Sequence, residues 1–282
     1  MSAPRHAAPR DTASPSGRKV GQPLHHVFLP NRPVSFSVGL ALVVLWSLAL
    51  LATWVLSPYA TLPTPREVWA AFGDLWWHHG LGVDLGVTLR LIFHSLALIV
   101  AIAMTLSYAT VVPLFRPVIV AVSKLRFLGL TGLVFPLTLW TGGGYKLKVA
   151  LLTFSMVSFF VTSMAQVVLE IPRAAFDHMR VLGASEGRIL WEVVILGTFD
   201  KALDVLRQNA AIGWAMITMV EGISRSEGGI GALILNQNKH FLLAEVYALL
   251  FLILFIGLGI DYGMGVLVRV LCPYAQLDRV KR

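Results

Sequence analysis

The chain has 282 residues, of which 56% are hydrophobic and 13% charged, and its formal net charge is +8. Charged residues make up about a quarter of a typical soluble domain, so this composition, with a mean hydropathy of +0.74, excludes a water-soluble globular protein. The positive charge of such an apolar chain indicates attraction to anionic lipid headgroups, and we expect no nucleic-acid partner.

The first 34 residues are rich in Ala, Pro, Ser and basic residues and have no hydrophobic period, which predicts a disordered basic tail over 1–34. Apolar runs then recur at about the 20 residues that a helix needs to cross a bilayer. Backbone groups in lipid must be hydrogen-bonded within the segment, so we interpret these runs as helices. The fold class is therefore an all-α polytopic membrane protein, with a transmembrane domain over 35–272 and a short tail over 273–282. About six transmembrane helices are predicted, at 35–56, 86–112, 118–140, 149–169, 209–223 and 242–268.

Lys and Arg are concentrated before residue 35, between 170 and 207 and after 268, and they are fewer in the alternate loops. Basic residues favour short cytoplasmic loops, so this distribution places both termini and the 170–207 stretch in the cytoplasm. We expect a multi-pass protein of a bacterial inner membrane.

The polar stretch from 170 to 207 interrupts the apolar runs. Pro172 suits the first turn of a helix over 174–182, because the N–H that proline lacks would be unpaired there. Gly183 can take the left-handed conformation that ends a helix, and Ser185 can cap a second helix with Glu186 in its first turn. The sequence therefore predicts a helix, a tight glycine turn and a second helix, too polar and too short to cross the membrane.

The sequence has no G-x-x-x-x-G-K-[ST] phosphate-binding loop, and the glycines at 142–144 have the wrong spacing for one. The histidine pairs at 25–26 and 78–79 are adjacent, which directs successive side chains away from a single ion. We therefore expect no cofactor and no metal site in this chain.

The segment 177–183 reads D-H-M-R-V-L-G and is followed by V-V-I-L at 193–196. It resembles the cytoplasmic loop, E-A-A-x-x-x-G-x9-I-x-L-P, of permease subunits of binding-protein-dependent ABC importers. L-P-T-P-R-E-V at 62–68 is similar to the L-P-(S/T)-P-x-E-V that begins the external segment in the nitrate, sulfonate and taurine branch of that family.

Further similarities follow in order and extend the resemblance from about 62 to 273. They are T-L-R at 88–90, Leu206-Arg207, Trp214, Glu221, G-I-G at 229–231 and I-G-L-G-I-D at 256–261. The chain departs from the pattern where Asp177-His178-Met179 replaces Glu-Ala-Ala and where Leu196 replaces the closing proline. The proline-rich start of the third span in many relatives is R-F-L-G-L at 126–130 here.

The resemblance implies a type I importer permease that is not itself an enzyme. In that family the coupling loop, about 170–200 here, inserts into a groove on an ATPase subunit that holds ATP and Mg²⁺. Closure of two ATPases then moves two permease subunits between inward-open and outward-open states. The implied partners are ABC ATPase subunits, a second permease copy forming a homodimer, an external solute-binding protein and the lipid membrane. The predicted ATPase-docking residues are Asp177, Met179, Arg180, Gly183, Ala184, Ser185 and Glu186.

Ionisable side chains within spans are costly and are therefore candidates for function. Lys124 and Arg126 near the third span, with Glu221 near the fifth, are candidates for the translocation path of an anionic solute. The alternative is that the two cations reach lipid headgroups at the interface and that Glu221 caps or pairs at a helix end.

Two other function classes remain open. An ion-driven secondary transporter should show inverted repeats and broken helices, and the sequence shows no such repeat. A non-transporting membrane scaffold is compatible with the altered Glu-Ala-Ala segment. Importers of the resembled kind select their solute chiefly at a separate binding protein, so nitrate, an alkanesulfonate, taurine, bicarbonate and a pyrimidine-type precursor all remain open. The branch gives only a preference for a small hydrophilic oxyanion.

Overall fold

The computed structural model describes residues 36–57, 59 and 62–273, and those residues form helices and loops without a strand. The all-α prediction is confirmed. The predicted tail over 1–34 and residues 274–282 of the C-terminal tail lie outside the described residues.

The chain divides into two units, Met1–Pro58 and Tyr59–Arg282. The described part of the first unit contains helix α1, Phe36–Val55, whose 20 residues include no charged side chain. Its length and composition are those of a transmembrane helix.

The second unit contains ten α-helices in its described part. They are α2 (Pro65–Trp77), α3 (Leu81–Ala109), α4 (Arg116–Lys124), α5 (Leu130–Thr141), α6 (Gly144–Leu169), α7 (Arg173–Val181), α8 (Glu186–Ile189), α9 (Phe199–Ile223), α10 (Ile230–Lys239) and α11 (Leu243–Leu271).

The L-P-T-P-R-E-V segment begins helix α2 through a capping box. The Glu67 N–H donates to Thr64 Oγ1 at 3.3 Å, and the Thr64 N–H donates to Glu67 Oε2 at 2.9 Å. Pro65 occupies the first helical position, where it has no hydrogen bond to lose. The motif therefore fixes the point at which the chain enters this helix.

Helix α6 lies at the centre of the second unit. In its most apolar stretch 61% of the residues are buried, against 33% in α3 and 11% in α11. Tyr145 near the start of α6 lies beside Arg90 and His94 in the first half of α3, so these two helices run in parallel. Gly213 of α9 approaches Met156 of α6, and the order of the contacts shows that α9 runs antiparallel to both.

Four described helices, α1, α3, α6 and α11, are long and apolar enough to span a membrane. The predicted third span is not a straight helix, because its two halves, Pro113–Phe127 and Leu130–Thr141, are bent by 114°. The backbone is extended at Leu128 and Gly129, and this interruption explains the bend. If the bent pair counts as one span, the total is up to five.

The predicted fifth span corresponds to the second half of α9. The helix begins ten residues earlier than predicted, and its first turns contain Asp200, Lys201, Asp204 and Arg207. Because of these charges, α9 is not among the helices whose length and composition identify them as spans. The count of six is therefore not confirmed, although the multi-pass architecture is.

Small residues allow the helices to approach closely at particular positions. A Cβ on Gly213 would lie 2.3 Å from Met156 Sδ, and one on Gly257 would lie 2.8 Å from Trp214 Cδ1. Gly259 and Gly263 of α11 have nothing within 4 Å, so glycine permits a close approach of helices at Gly213 and Gly257 and not at these two positions.

We predict that Gly257→Ala destabilises the protein by about 1–3 kcal/mol, the usual cost of overpacking. Trp214 cannot easily move away, because its Nε1–H donates to the Ile253 carbonyl of α11 at 2.9 Å. The unfolding free energy can be measured in detergent micelles by titration with a denaturing detergent. Gly259→Ala, two residues further along the same helix, is the control and should leave the unfolding free energy nearly unchanged. Equal losses in both variants would contradict this account of the contact between α9 and α11.

Candidate functional site

The polar stretch forms a helix, a left-handed turn and a second helix at one end of the helix bundle. Helix α7 ends at Val181, and Gly183, two residues later, has a φ of 77°. The Gly183 N–H donates to the Arg180 carbonyl at 2.9 Å, and the Ala184 N–H donates to the Met179 carbonyl at 3.1 Å. This pair of bonds is the Schellman motif, which requires the left-handed conformation that glycine adopts without a steric penalty. The predicted glycine turn is present.

Ser185 occupies the capping position before α8, as predicted, although its side chain makes no capping hydrogen bond. An ion pair holds the two sides of the turn together instead. Arg180 donates from Nε to Glu186 Oε1 at 2.9 Å and from Nη1 to Asp177 Oδ1 at 3.3 Å. The hydrogen bond from Arg180 lowers the pKa of the Glu186 carboxyl below its usual range. The groups are exposed, so this pair orients the turn more than it stabilises the protein.

The chain stays helical from the turn into the core. Helix α8 continues as a π-helix over Leu190–Ile195, then as a 3₁₀-helix over Leu196–Thr198, and then as α9. The Leu196 N–H donates to the carbonyls of Trp191 and Glu192. A proline, which the resembled family has at this position, has no N–H to donate. The substitution by leucine therefore adds a hydrogen bond to this helical connection.

The seven predicted docking residues lie together around the turn. Met179 and Ala184 are half-buried, and the other five are exposed: Asp177, Arg180, Gly183, Ser185 and Glu186. The described structure brings them onto one protruding element, and their role in docking stays a prediction.

A buried polar cluster lies at the opposite end of the bundle from this coupling loop. Glu221 of α9 is fully buried, and its two carboxylate oxygens accept hydrogen bonds from Thr88 Oγ1 and from the Gly231 N–H, both at 2.8 Å. Thr88 Oγ1 also accepts a hydrogen bond from the Ile230 N–H at 3.0 Å. The carboxylate thus joins α3, α9 and the start of α10.

Two further charged side chains hold the glycine loop that precedes α10. Lys148 of α6 is fully buried, and its Nζ donates to the Gly228 carbonyl at 2.7 Å. Asp84 of α3 accepts a hydrogen bond from the Gly229 N–H at 2.8 Å. Gly228 and Gly229 have φ values of 72° and 109°, which are strained for other residues. Four helices and one loop therefore meet in a single hydrogen-bonded cluster, which we call the polar cluster: Asp84, Thr88, Lys148, Glu221 and the loop 228–231.

Sequence reasoning singled out Glu221 but missed Lys148 and Asp84. The predicted fourth span starts at Val149 and so leaves out Lys148, whereas helix α6 begins at Gly144. The sequence does contain a signal for Lys148, because an ionisable side chain one residue from a predicted span is a candidate for function. The structure places Lys124 and Arg126 elsewhere, exposed near the bend between α4 and α5. No hydrogen bond or ion pair in the described part of the chain joins either cation to Glu221. Their role in translocation stays a prediction.

Helices α9 and α11 are joined by a bidentate ion pair nearer the coupling loop. Arg207 Nε and Nη2 each donate to one carboxylate oxygen of Asp261 at 2.7 Å. Both side chains are about 40% exposed, at 39% and 41%. The paired geometry satisfies two charges at a position where an unpaired charge would be costly.

Comparison with curated proteins finds similarity to the "Taurine transport system permease protein TauC" of Escherichia coli (strain K12). The two are 26% identical over 266 residues, which cover 86% of this chain and 91% of the relative. No family model matches the sequence.

Two solved structures of the inward-facing MetNI methionine ABC transporter are similar in fold. Their TM-scores are 0.56 and 0.54, and both are 20% identical in sequence. The similar regions cover 67% and 74% of this chain, and 95% and 99% of the chains compared.

The resemblance to ABC importer permeases inferred from the motifs is therefore confirmed. The chain is a multi-pass membrane protein that is similar in sequence to a curated permease subunit and in fold to an ABC transporter chain.

We predict that Thr88→Val destabilises the protein strongly. The substitution keeps the shape of the side chain but leaves one oxygen of Glu221 and the Ile230 N–H buried without their partner. Each unpaired group costs about 1–3 kcal/mol, and the loss can be measured as a change in the unfolding free energy in detergent micelles.

The matched control is Thr105→Val in the same helix. Thr105 is exposed, and its hydroxyl donates only to the Ala101 carbonyl one turn earlier, at 2.7 Å. If Thr88→Val is no more destabilising than Thr105→Val, the polar cluster does not hold the helices together.

Proposed function

We propose that this chain is the transmembrane permease subunit of an ATP-driven ABC importer. The observation that carries the proposal is the coupling loop, a helix and a glycine-closed turn that project from the bundle and continue as an unbroken helical path into its core. The similarity in sequence to a taurine transport permease and in fold to an ABC transporter supports this function.

In the proposed mechanism the coupling loop docks into a groove on a cytoplasmic ATPase subunit. The Schellman turn at Gly183 and the Arg180–Glu186 ion pair give the loop one defined conformation. A displacement of the loop would pass through α8 and the π-helix into α9, and through Ile171 at the other end into α6. Rigid-body motion of these helices would switch the permease between its two states.

The proposed assembly contains a second permease copy, two ATPase subunits and an external solute-binding protein. ATP and Mg²⁺ would be bound by the ATPase chains, and this chain would be non-catalytic. The coupling loop would face the cytoplasm together with both termini, as the distribution of Lys and Arg predicts. The polar cluster would then lie on the external side of an inner membrane.

The proposed solute is a small hydrophilic anion of the nitrate, sulfonate or taurine kind. The similarity to a taurine transport permease supports this class. Lys124, Arg126 and Glu221 remain the proposed residues of the translocation path. Solute uptake by proteoliposomes that contain the assembled transporter, with taurine and nitrate compared at equal concentration, tests the class directly.

The docking assignment predicts that Gly183→Val abolishes co-purification with the ATPase and ATP-driven uptake. A β-branched residue at a φ of 77° is strained by about 1–2 kcal/mol, so the turn should open and lose its docking shape. The measurement is the amount of ATPase that remains bound to affinity-purified permease.

Gly187→Val is the matched control, because a Cβ at either glycine meets no atom within 4 Å and Gly187 has an ordinary helical φ. This control should keep most of the bound ATPase. If Gly183→Val remains fully bound and coupled, the coupling role of this loop is wrong. If both variants lose the ATPase equally, the ATPase does not recognise the geometry of the turn.

A further inference from the structure

An open cavity of about 660 Å³ lies beside the coupling loop, where α3 and α6 end and α4 and α7 begin. Its wall combines residues from all four of these helix ends. The residues that matter for its chemistry are Thr110, Arg116, Arg173, Asp177 and Arg180. Three arginines from two separate elements thus face one space, which is the arrangement expected of an anion site.

The three arginines differ in whether a carboxylate is paired with them. Arg180 is paired with Asp177 and Glu186. Arg116 donates from Nε to the Thr110 carbonyl at 3.2 Å, which orients the guanidinium and leaves its terminal nitrogens available. Among the described residues, no carboxylate lies within ion-pair distance of Arg116 or Arg173. Two positive charges in the cavity wall therefore lack a counter-charge from the described part of the chain.

Thr110 provides an independent sign of a missing partner. Only 4% of the residue is exposed, and its Oγ1 has no hydrogen-bond partner among the described residues. Buried hydroxyl groups are normally hydrogen-bonded, to protein or to a bound molecule. Thr110 lines the same cavity as the arginines, but its hydroxyl oxygen is itself buried, so the side chain would have to rotate before it could contact an anion there.

We propose that this cavity binds a phosphate-type anion between Arg116 and Arg173. Guanidinium groups match the oxygens of a phosphate in paired geometry, and the volume is larger than one phosphate requires, so a phosphoglycerol headgroup also fits. The anion can come from an anionic phospholipid or from solution. Basic pockets between transmembrane helices on the cytoplasmic side are recognised sites for lipid headgroups.

The position of the site gives it a regulatory consequence. Arg116 is the first residue of α4 and Arg173 the first residue of α7, so an anion held by both links the bend-containing pair α4–α5 to the coupling loop. The bound anion restrains α7, and its loss frees the coupling loop to move. This inference concerns a ligand site that the proposed importer function does not require, and either one can fail without the other.

The test uses the full chain in nanodiscs of phosphatidylcholine alone or of phosphatidylcholine mixed with phosphatidylglycerol. Inorganic phosphate is titrated into the first kind, with sodium chloride at matched ionic strength as the reference. The readouts are the thermal unfolding midpoint and hydrogen exchange of the backbone between 173 and 183. The variants are Arg116→Gln and Arg173→Gln, with Arg173→Lys as a charge-preserving comparison.

Arg188→Gln is the control variant, because Arg188 is an exposed arginine of the same loop that pairs with Glu192 and does not line the cavity. We expect phosphatidylglycerol or phosphate to raise the midpoint and slow the exchange in the wild type and in Arg188→Gln. In Arg116→Gln and Arg173→Gln, the anion should bind about tenfold or more weakly, because a charged hydrogen bond is lost. Arg173→Lys should lie between them.

The two anion sources give different results. An effect of phosphatidylglycerol without an effect of phosphate assigns a lipid headgroup, and an effect of phosphate in phosphatidylcholine nanodiscs assigns a free anion. Equal responses of the wild type and both glutamine variants, or no response at all, overturn the proposal.

Discussion

The carboxylate of Glu221 is the point on which the arrangement of the second unit depends. It is fully buried, and it accepts one hydrogen bond from a side chain of α3 and one from the backbone at the start of α10. A carboxylate in an apolar interior is tolerable only when both oxygens are satisfied, so the positions of α3 and of the glycine loop are tied to that of α9. The buried ammonium of Lys148 extends this constraint to α6 by holding the Gly228 carbonyl.

Helix α9 connects this polar cluster to the coupling loop. It has 25 residues, and a rise of about 1.5 Å per residue makes it about 37 Å long, which is comparable to the thickness of a membrane. At one end it continues from the turn at Gly183, and at the other end it contains Glu221. Between them, Trp214 and Arg207 attach it to α11. In the proposed mechanism, a displacement of the loop would therefore act on a helix whose far end is firmly held, which favours tilting over sliding.

The same helix explains why the predicted count of six spans is not confirmed. Its first three turns contain Asp200, Lys201, Asp204 and Arg207, and Arg207 pairs with Asp261 of α11. Charged residues lower the mean hydropathy of a segment without preventing it from packing in the bundle, and the pairing of Arg207 with Asp261 removes much of the cost of that charge. At the bend between α4 and α5 the sequence predicts one continuous span, but two residues with extended backbone divide this apolar run into two helices.

The sequence by itself determined the class of the protein and the local shape of its coupling loop. Long apolar runs require helices in lipid, Pro172 and Gly183 set the limits of α7, and Thr64 with Glu67 sets the start of α2, because each depends on residues adjacent along the chain. Tertiary structure alone decided the polar cluster and the anion cavity. Asp84, Lys148 and Glu221 are far apart in the sequence, as are Arg116 and Arg173, and only helix packing brings them together. Periodicity and capping rules act over one or two turns of helix, whereas the partners of a buried charge are chosen by the whole fold.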